Sequence, residues 1–403
     1  MQDTDTKNAR VLVTCRGEDS PGITATLTGI VSKDTAHLLD VEQVVVQGQL
    51  TLCLLIELND EGHTSVLKDL LFCAKRLNME LDFKVLDADT AERDAFNRYA
   101  ITAIGERMGA TAIHAVATLL AEHEANIDKI RRLSKDDLRS VEIEISFPPG
   151  EDTAEKLRRD LIAFASPQDI DIAVQRNDIA RRQKRLIVMD MDSTLIQVEI
   201  IDELARLHGV YDEVAKVTER AMQGEMDFDE SLRTRVQCLE GLAVEKAQSL
   251  AQDLPVTDGA PQLLHVLQRL GFKTAVISGG FTFAAYALKQ RLGLDYAYAN
   301  ELEVQNGVFT GRVTGPIVGP QRKADLLDVI AQQEGILLEQ TIAIGDGAND
   351  MLMLERAGLG IAFHAKAKLK AAADTTLSAG GLDRILYFLG LSESDILTFS
   401  KNA

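Results

Sequence analysis

The chain has 403 residues, of which 46% are hydrophobic and 26% charged, the balance of a globular protein and not of a disordered one. At roughly 100–200 residues per domain, that length predicts about two to four domains. The formal net charge of −19 leaves no general basic footprint, so a nucleic-acid partner is not expected. The cysteines (Cys15, Cys53, Cys73 and Cys238) have neither close pairing nor metal-ligand spacing, which excludes a disulfide scaffold and points to a reducing, cytoplasmic setting. The polar start Met1-Gln-Asp-Thr-Asp has no signal-peptide pattern. No apolar run reaches the roughly 20 residues that span a bilayer, so no membrane partner is expected.

In chain order, Val11-Leu12-Val13 begins a strand that ends in the polar loop Arg16-Gly-Glu-Asp19-Ser-Pro-Gly22. Ile23, Leu27 and Ile30 then mark one face of a helix over 23–33. Strands are predicted over 38–46 and 50–58, a helix over 64–77 and a strand over 81–86. This β-α-β-β-α-β order gives an antiparallel sheet with helices on one face. A second such unit is predicted from strands over 99–104, 127–133, 139–147 and 170–175, with helices over 108–124 and 153–165. Residues 177–184 are polar and basic, a linker or a connecting helix.

The texture then changes. Leu186-Ile-Val-Met189, Thr274-Ala-Val-Ile277 and Thr341-Ile-Ala-Ile344 are short apolar runs without alternation, as expected of strands buried on both faces of a parallel sheet. Helical patterns lie between them, so a doubly wound α/β core is expected. The helix-rich stretch at about 198–256 reads as a cap inserted after the first core strand. The glycine-rich stretch at 307–315 predicts a hairpin or an irregular excursion. The expected domains are 1–92, 93–180 and 181–403.

Each core strand ends in a polar cluster, where open α/β sheets place their sites. These are Asp190-Met-Asp192-Ser-Thr194, then Ser278-Gly279-Gly280, then Gly345-Asp346-Gly-Ala-Asn349-Asp350, and Lys323 opens a helix before the third strand. Asp190 and Asp192 are two residues apart, so both carboxylates can line one pocket. One can serve as nucleophile and the other as proton donor. With Asp346 they form a hard all-oxygen set suited to Mg²⁺. Taken alone, Asp190–Thr194 also reads as a helix cap after a strand. His208, His265 and His364 have no triad or zinc spacing, and Cys238 falls on an apolar helix face.

The clusters Asp190–Thr194, Ser278, Lys323 and Gly345–Asp350 resemble the four motifs of the haloacid dehalogenase superfamily, over about 184–399. The nearest resemblance within it is to the phosphoserine phosphatase family. That resemblance implies Mg²⁺-dependent hydrolysis of O-phospho-L-serine to L-serine and phosphate, the last step of serine biosynthesis. Asp190 then resembles the nucleophile that becomes an aspartyl-phosphate, and Asp192 the general acid and base. Asp346, the Asp190 carboxylate and the Asp192 backbone carbonyl resemble the metal ligands, with Asp350 in support. Ser278, the Gly279 amide and Lys323 resemble a phosphate clamp, with Asn349 near the phosphate. Glu199 resembles the carboxylate that holds the substrate ammonium and Arg235 the group that holds its carboxylate. Met222 and Phe228 would close the pocket, with Gly280 beside the bound amino acid.

The first β-α-β-β-α-β unit, with its loop Gly17–Gly22, resembles an ACT regulatory domain, and the second resembles one in architecture only. Such units bind an amino-acid effector, for example serine, or pair subunits into a homodimer. Asp19 would lie in the ligand loop, whose other reading is a polar turn in a pairing module. Other functions weighed are a non-catalytic amino-acid sensor, and a phosphatase or phosphotransferase acting on phosphothreonine or homoserine phosphate.

Overall fold

The computed structural model describes residues 9–33, 36–58, 63–86, 97–106, 108–135, 137–147, 153–365, 369–370 and 373–400. The chain folds as two compact units, Met1–Asp94 and Ala95–Ala403.

In the first unit, β1 (Ala9–Glu18), β2 (His37–Val46), β3 (Gln49–Leu58) and β4 (Glu80–Leu86) form an antiparallel sheet in the order β2-β3-β1-β4. Alternation explains it. Val11, Val13 and Cys15 on β1 stand opposite Ile56, Leu54 and Leu52 on β3, and all are buried. Helix α1 (Ile23–Val31) brings Ile23, Leu27 and Val31 onto that face. Helix α2 (His63–Arg76) adds Val66, Leu70 and Cys73. Asp19, in the β1–α1 loop, is exposed, and its N–H donates to the Gly48 carbonyl at 2.8 Å.

The second unit opens with β5 (Asn97–Gly105), α3 (Ala110–Glu122), β6 (Asn126–Arg132), β7 (Ser140–Phe147), α4 (Thr153–Ala165) and β8 (Ile170–Arg176). These form the expected second β-α-β-β-α-β array, with its own apolar core under α3 and α4. A one-turn helix, α5 (Ile179–Arg182), follows, capped by the Asp178 side chain, which accepts from the Arg181 N–H at 3.0 Å.

The catalytic-type core then starts at β9 (Leu186–Met189), buried at every residue. Four helices come next: α6 (Ile200–His208), α7 (Tyr211–Met222), α8 (Phe228–Gln237) and α9 (Val244–Gln252). They are followed by α10 (Ala260–Arg269), β10 (Lys273–Phe281), α11 (Thr282–Leu292), β11 (Tyr296–Gln305) and β12 (Val308–Thr314). The glycine-rich stretch is a hairpin: Asn306 and Gly307, at φ 54° and 81°, turn β11 into β12. The chain continues through α12 (Pro320–Glu334), β13 (Thr341–Gly345), α13 (Met351–Arg356), β14 (Gly360–Phe363) and β15 (Thr375–Leu377).

Composition alone did not indicate that the second array and the core share one sheet. Its eleven strands run β12-β11-β10-β9-β13-β14-β15-β8-β5-β7-β6. Strands β11, β10, β9, β13, β14 and β15 pair in parallel, and β15 meets β8 antiparallel through the single pair Thr375–Ala173. Polar bonds hold this seam. The Ser378 N–H donates to Asp171 Oδ1 at 2.8 Å, and Gln175 Nε2 donates to the Phe388 carbonyl at 2.9 Å. Among the described residues, no helix is long and apolar enough to cross a membrane.

Candidate active site

The carboxyl ends of β9, β10 and β13 meet, as their parallel pairing requires. The Asp190 N–H donates to the Ile344 carbonyl at 2.9 Å, which holds the first residue after β9 against the last turn of β13. The chain then turns tightly through Met191–Leu195, with Ser193 in the left-handed region at φ 56°. This turn brings Asp190 and Asp192 into one cleft of about 690 Å³.

The two carboxylates have different surroundings. Asp192 Oδ1 accepts from the Ile200 N–H at 2.8 Å, and its Oδ2 accepts from Ser278 Oγ at 3.2 Å. Ser278 Oγ accepts in turn from the Gly280 N–H at 2.8 Å. Only glycine fits at 280, since a Cβ there would lie 2.5 Å from Asp192 Oδ2. Asp190 instead faces Lys323. Lys323 Nζ lies 2.7 Å from Asp190 Oδ1 and donates to Asp350 Oδ1 at 2.7 Å. Lys323 is wholly buried, one turn into α12, between carboxylates that also lie out of solvent. The Asp350 side chain folds back against Gly345, where a Cβ would meet its Cγ at 2.4 Å, and its Oδ2 accepts from the Gly347 N–H at 3.1 Å.

Crowded acid groups control the electrostatics. Burial, then Asp350, pushes the Asp190 carboxyl well above its ordinary value, with Lys323 opposing. Burial, then Glu199, pushes Asp192 up to about 7. Burial, then Asp350 and Glu199, pushes Asp346 up to about 7. Burial alone would discharge Lys323, but Asp190 and Asp350 together outweigh it and keep the ammonium charged.

Carboxylate oxygens of Asp190, Asp346 and Asp350 lie within 4.8 Å of one another. This all-carboxylate set of hard oxygens fits a hard divalent cation. The Asp192 carboxylate is outside the cluster, because the Ile200 N–H and Ser278 hydroxyl turn it away.

Glu199, directly before α6, and Phe228 and Arg235 on α8 line the same cleft. Arg235 Nε donates to the Ser231 carbonyl at 3.3 Å. Burial lowers the Arg235 pKa, while Glu199, Asp202 and Asp192 favour its charge. A Cβ on Gly279 would lie 2.9 Å from Phe228 Cζ, so the cap ring rests on the core loop. Gly279, Gly280, Asp346 and Asn349 also line the cleft. Met222 ends α7, but its side chain is outside the described ones. Asp19 belongs to the other unit.

Three contributors had no role assigned from sequence. Thr194 Oγ1 donates to Asp346 Oδ1 at 3.3 Å, and Ser193 Oγ donates to Glu199 Oε1 at 2.7 Å. Both sit inside the Asp190–Thr194 cluster, so the cluster itself was the available signal. Buried Asn300 donates to the Gly279 carbonyl and accepts from the Val318 N–H, each at 2.8 Å. It pins the loop after β10 to the entry of α12. Nothing in the local sequence around Asn300 marks it.

Comparison with known proteins gives the family. Residues 184–358 match the haloacid dehalogenase-like hydrolase family. Residues 9–84 and 98–175 each match an ACT domain. The chain is 42% identical to the phosphoserine phosphatase of Streptomyces coelicolor over 96% of this chain and 93% of that one. It is 40% identical to phosphoserine phosphatase SerB2 of Mycobacterium tuberculosis over 96% of this chain and 94% of that one. Its fold resembles a HAD family hydrolase from Salmonella enterica serovar Typhi, with a TM-score of 0.62 and 29% identity, over 72% of this chain and 98% of that one. The chain thus belongs to the phosphoserine phosphatase family of haloacid dehalogenase-like hydrolases and carries two ACT domains before its catalytic core.

Proposed function

We propose that this protein hydrolyses O-phospho-L-serine to L-serine and phosphate through an aspartyl-phosphate on Asp190. The observation that carries this reading is one cleft lined by Asp190 and Asp192 together with Glu199 and Arg235. The first pair suits phosphoryl transfer, and the second suits an ammonium and a carboxylate on the same substrate.

An Asp190 oxygen attacks phosphorus while the serine oxygen departs with a proton from Asp192. Asp192 suits that task, because a carboxyl near 7 holds a proton at neutral pH and can release it. The resulting Asp192 carboxylate then takes a proton from water. The hydroxide formed attacks phosphorus, and the bond to Asp190 breaks. Splitting the hydrolysis in two replaces one high barrier by two lower ones. Lys323, the Ser278 hydroxyl and the Gly279 amide oppose charge on the transferring group, with Asn349 beside it. The Asp190 and Asp346 carboxylates and the Asp192 backbone carbonyl would hold Mg²⁺, with Asp350 in support. When bound, the ion would neutralise repulsion between the nucleophile and the phosphate. Arg235 takes the substrate carboxylate as a planar fork, Glu199 takes its ammonium, and Phe228 and Gly280 enclose its body.

We read the ACT domains as amino-acid-binding and subunit-pairing modules of a cytoplasmic homodimer. The apolar outer strand β2, with Val44, Val45 and Val46 exposed, supports pairing.

Initial rates with Mg²⁺ on O-phospho-L-serine, O-phospho-L-threonine, homoserine phosphate and a phosphomonoester lacking amino and carboxyl groups test the substrate. The first should be preferred. Preference for the last would overturn the reading. Quantifying free phosphate against phosphorylated alcohol separates hydrolysis from transfer.

A further inference from the structure

Helix α8, which carries Arg235, is mounted on the core at both ends. Its first residue, Phe228, rests on two backbone positions. A Cβ would lie 2.9 Å from Phe228 Cζ at Gly279 and 3.3 Å from Phe228 Cδ1 at Gly319, directly before α12. Its last residue, Gln237, rests on the β11–β12 hairpin. Gly311, on β12 at φ 76°, packs so closely that a Cβ there would lie 3.2 Å from both Cα and the carbonyl oxygen of Gln237.

The segment just after α8 adds to the hairpin as a short third strand. The Gly241 N–H donates to the Phe309 carbonyl at 2.9 Å, the Phe309 N–H to the Leu242 carbonyl at 3.0 Å, and the Val244 N–H to the Gly307 carbonyl at 3.0 Å. Ala243 and Val308 form the antiparallel bridge among these bonds. The hairpin is rooted beside the loop after β10. Asn300 is the last residue of β11 paired with β10, and Glu301 is the first paired with β12. Buried Asn300 holds that root to the Gly279 carbonyl and the Val318 N–H. Hydrogen-bonded backbone therefore leads without a break from Gly279 to the end of α8. Glu199 has a different support, the Ser193 hydroxyl on the turn after β9.

We propose that the β11–β12 hairpin is a ruler that fixes how far Arg235 stands from the phosphoryl end of the cleft, with Gly311 as its positioning residue. The preference for a carboxylate-bearing substrate then depends on the hairpin. The inference rests on the reading that Arg235 takes the substrate carboxylate. A phosphomonoester without a carboxylate makes no use of Arg235, so the hairpin should matter to phosphoserine and not to phenyl phosphate. A side chain at 311 would press on the Gln237 backbone, which has no rotamer with which to yield, two residues beyond Arg235. A 1 Å misplacement can cost about 10²-fold in rate, so a displacement of a few tenths of an ångström should cost about fivefold.

Steady-state kinetics of the full chain with Mg²⁺ on O-phospho-L-serine and phenyl phosphate tests this. Gly311→Asn is the probe, since asparagine tolerates left-handed backbone better than most residues with a Cβ. Gly307→Asn is the control. At φ 81° it makes the same backbone demand, but a Cβ there would meet no described heavy atom within 4 Å. The ratio of the two kcat/KM values, phosphoserine over phenyl phosphate, is taken on one sample, so any unfolded fraction cancels. Gly311→Asn should lower that ratio about fivefold, and Gly307→Asn should keep it. In an Arg235→Ala background, Gly311→Asn should lower it no further. The inference alone is overturned if Arg235→Ala lowers the ratio while Gly311→Asn keeps it, if Gly307→Asn lowers it as much, or if Gly311→Asn still lowers it without Arg235. If Arg235→Ala itself leaves the ratio unchanged, the substrate reading falls and the inference with it.

Discussion

Ser193 Oγ donates to Glu199 Oε1 at 2.7 Å from a backbone held in the left-handed region at φ 56°. The bond ties the turn that carries Asp190 and Asp192 to Glu199, the residue directly before α6. It also aims the Glu199 carboxylate into the cleft that holds Asp190 and Asp192. Ser193→Ala should therefore raise KM for phosphoserine more than it lowers kcat. A hydrogen bond to a charged group contributes about 1.5 kcal/mol, so kcat/KM should fall roughly tenfold. Glu199→Gln and Arg235→Ala should act on the same parameter more strongly. Steady-state kinetics on all three variants checks this. Unchanged kcat/KM in Glu199→Gln and Arg235→Ala would remove the substrate clamp.

Lys323 is the only described cation within ion-pair distance of both Asp190 and Asp350. Lys323→Met would leave those two acids buried and facing each other. Breaking a buried pair typically costs about 3–5 kcal/mol, so the variant should unfold at distinctly lower denaturant as well as lose turnover. Urea titration in chelator measures the first effect. Stability equal to the parent's would mean the carboxylates relax without their counterion.

Removing divalent metal should make the core sensitive to pH. Asp192 and Asp346 rise to about 7, above the ordinary carboxylate range. A group whose folded value is raised contributes stability that is fully present below its unfolded value and is lost as pH rises through the folded one. In chelator, these groups should lower the melting temperature between about pH 4 and pH 7. Added Mg²⁺ should reverse most of that loss, and Asp346→Asn should flatten it. Melting curves with and without metal at pH 5 and pH 8 decide the matter. A flat profile in chelator would count against the crowded-acid description.

Glu142 behaves in the opposite sense. Burial alone would raise its carboxyl, but Arg181 and Arg131 outweigh that and hold it below the usual range. Its stabilising effect is therefore present above the unfolded carboxylate value and is lost as pH falls through the folded one. Arg131 also donates to the Gly390 carbonyl at 3.2 Å, so the cluster ties the second ACT domain to the carboxyl-terminal segment of the core. Glu142→Gln should destabilise the protein at neutral pH and blunt its acid-induced unfolding. Acid titration followed by circular dichroism checks this.

Where a residue pattern has its own period, the chain's architecture was legible. The β-α-β-β-α-β order of the first elements marked a sheet with helices on one face, and the unbroken run Leu186–Met189 marked a strand covered on both sides. The acid-bearing strand ends were legible too, because Asp190, Ser278 and Asp346 each follow an apolar run. Tertiary structure alone decided which carboxylates meet. Sequence spacing groups Asp190 with Asp192, yet the turn at Ser193 and the Ile200 N–H direct Asp192 toward Ser278. The carboxylate cluster is Asp190, Asp346 and Asp350 instead. Asn300 and the seam between β15 and β8 were likewise invisible, since their partners are distant in the chain. Local sequence encodes which face of an element is apolar, while long-range hydrogen bonds and burial set where its polar groups point. The net charge of −19 argued against a nucleic-acid partner from the outset. The fold alone decided that Lys323 is wholly buried between Asp190 and Asp350 and that Arg235 lines the cleft of those acids, because the cations and carboxylates that meet there are distant in the chain.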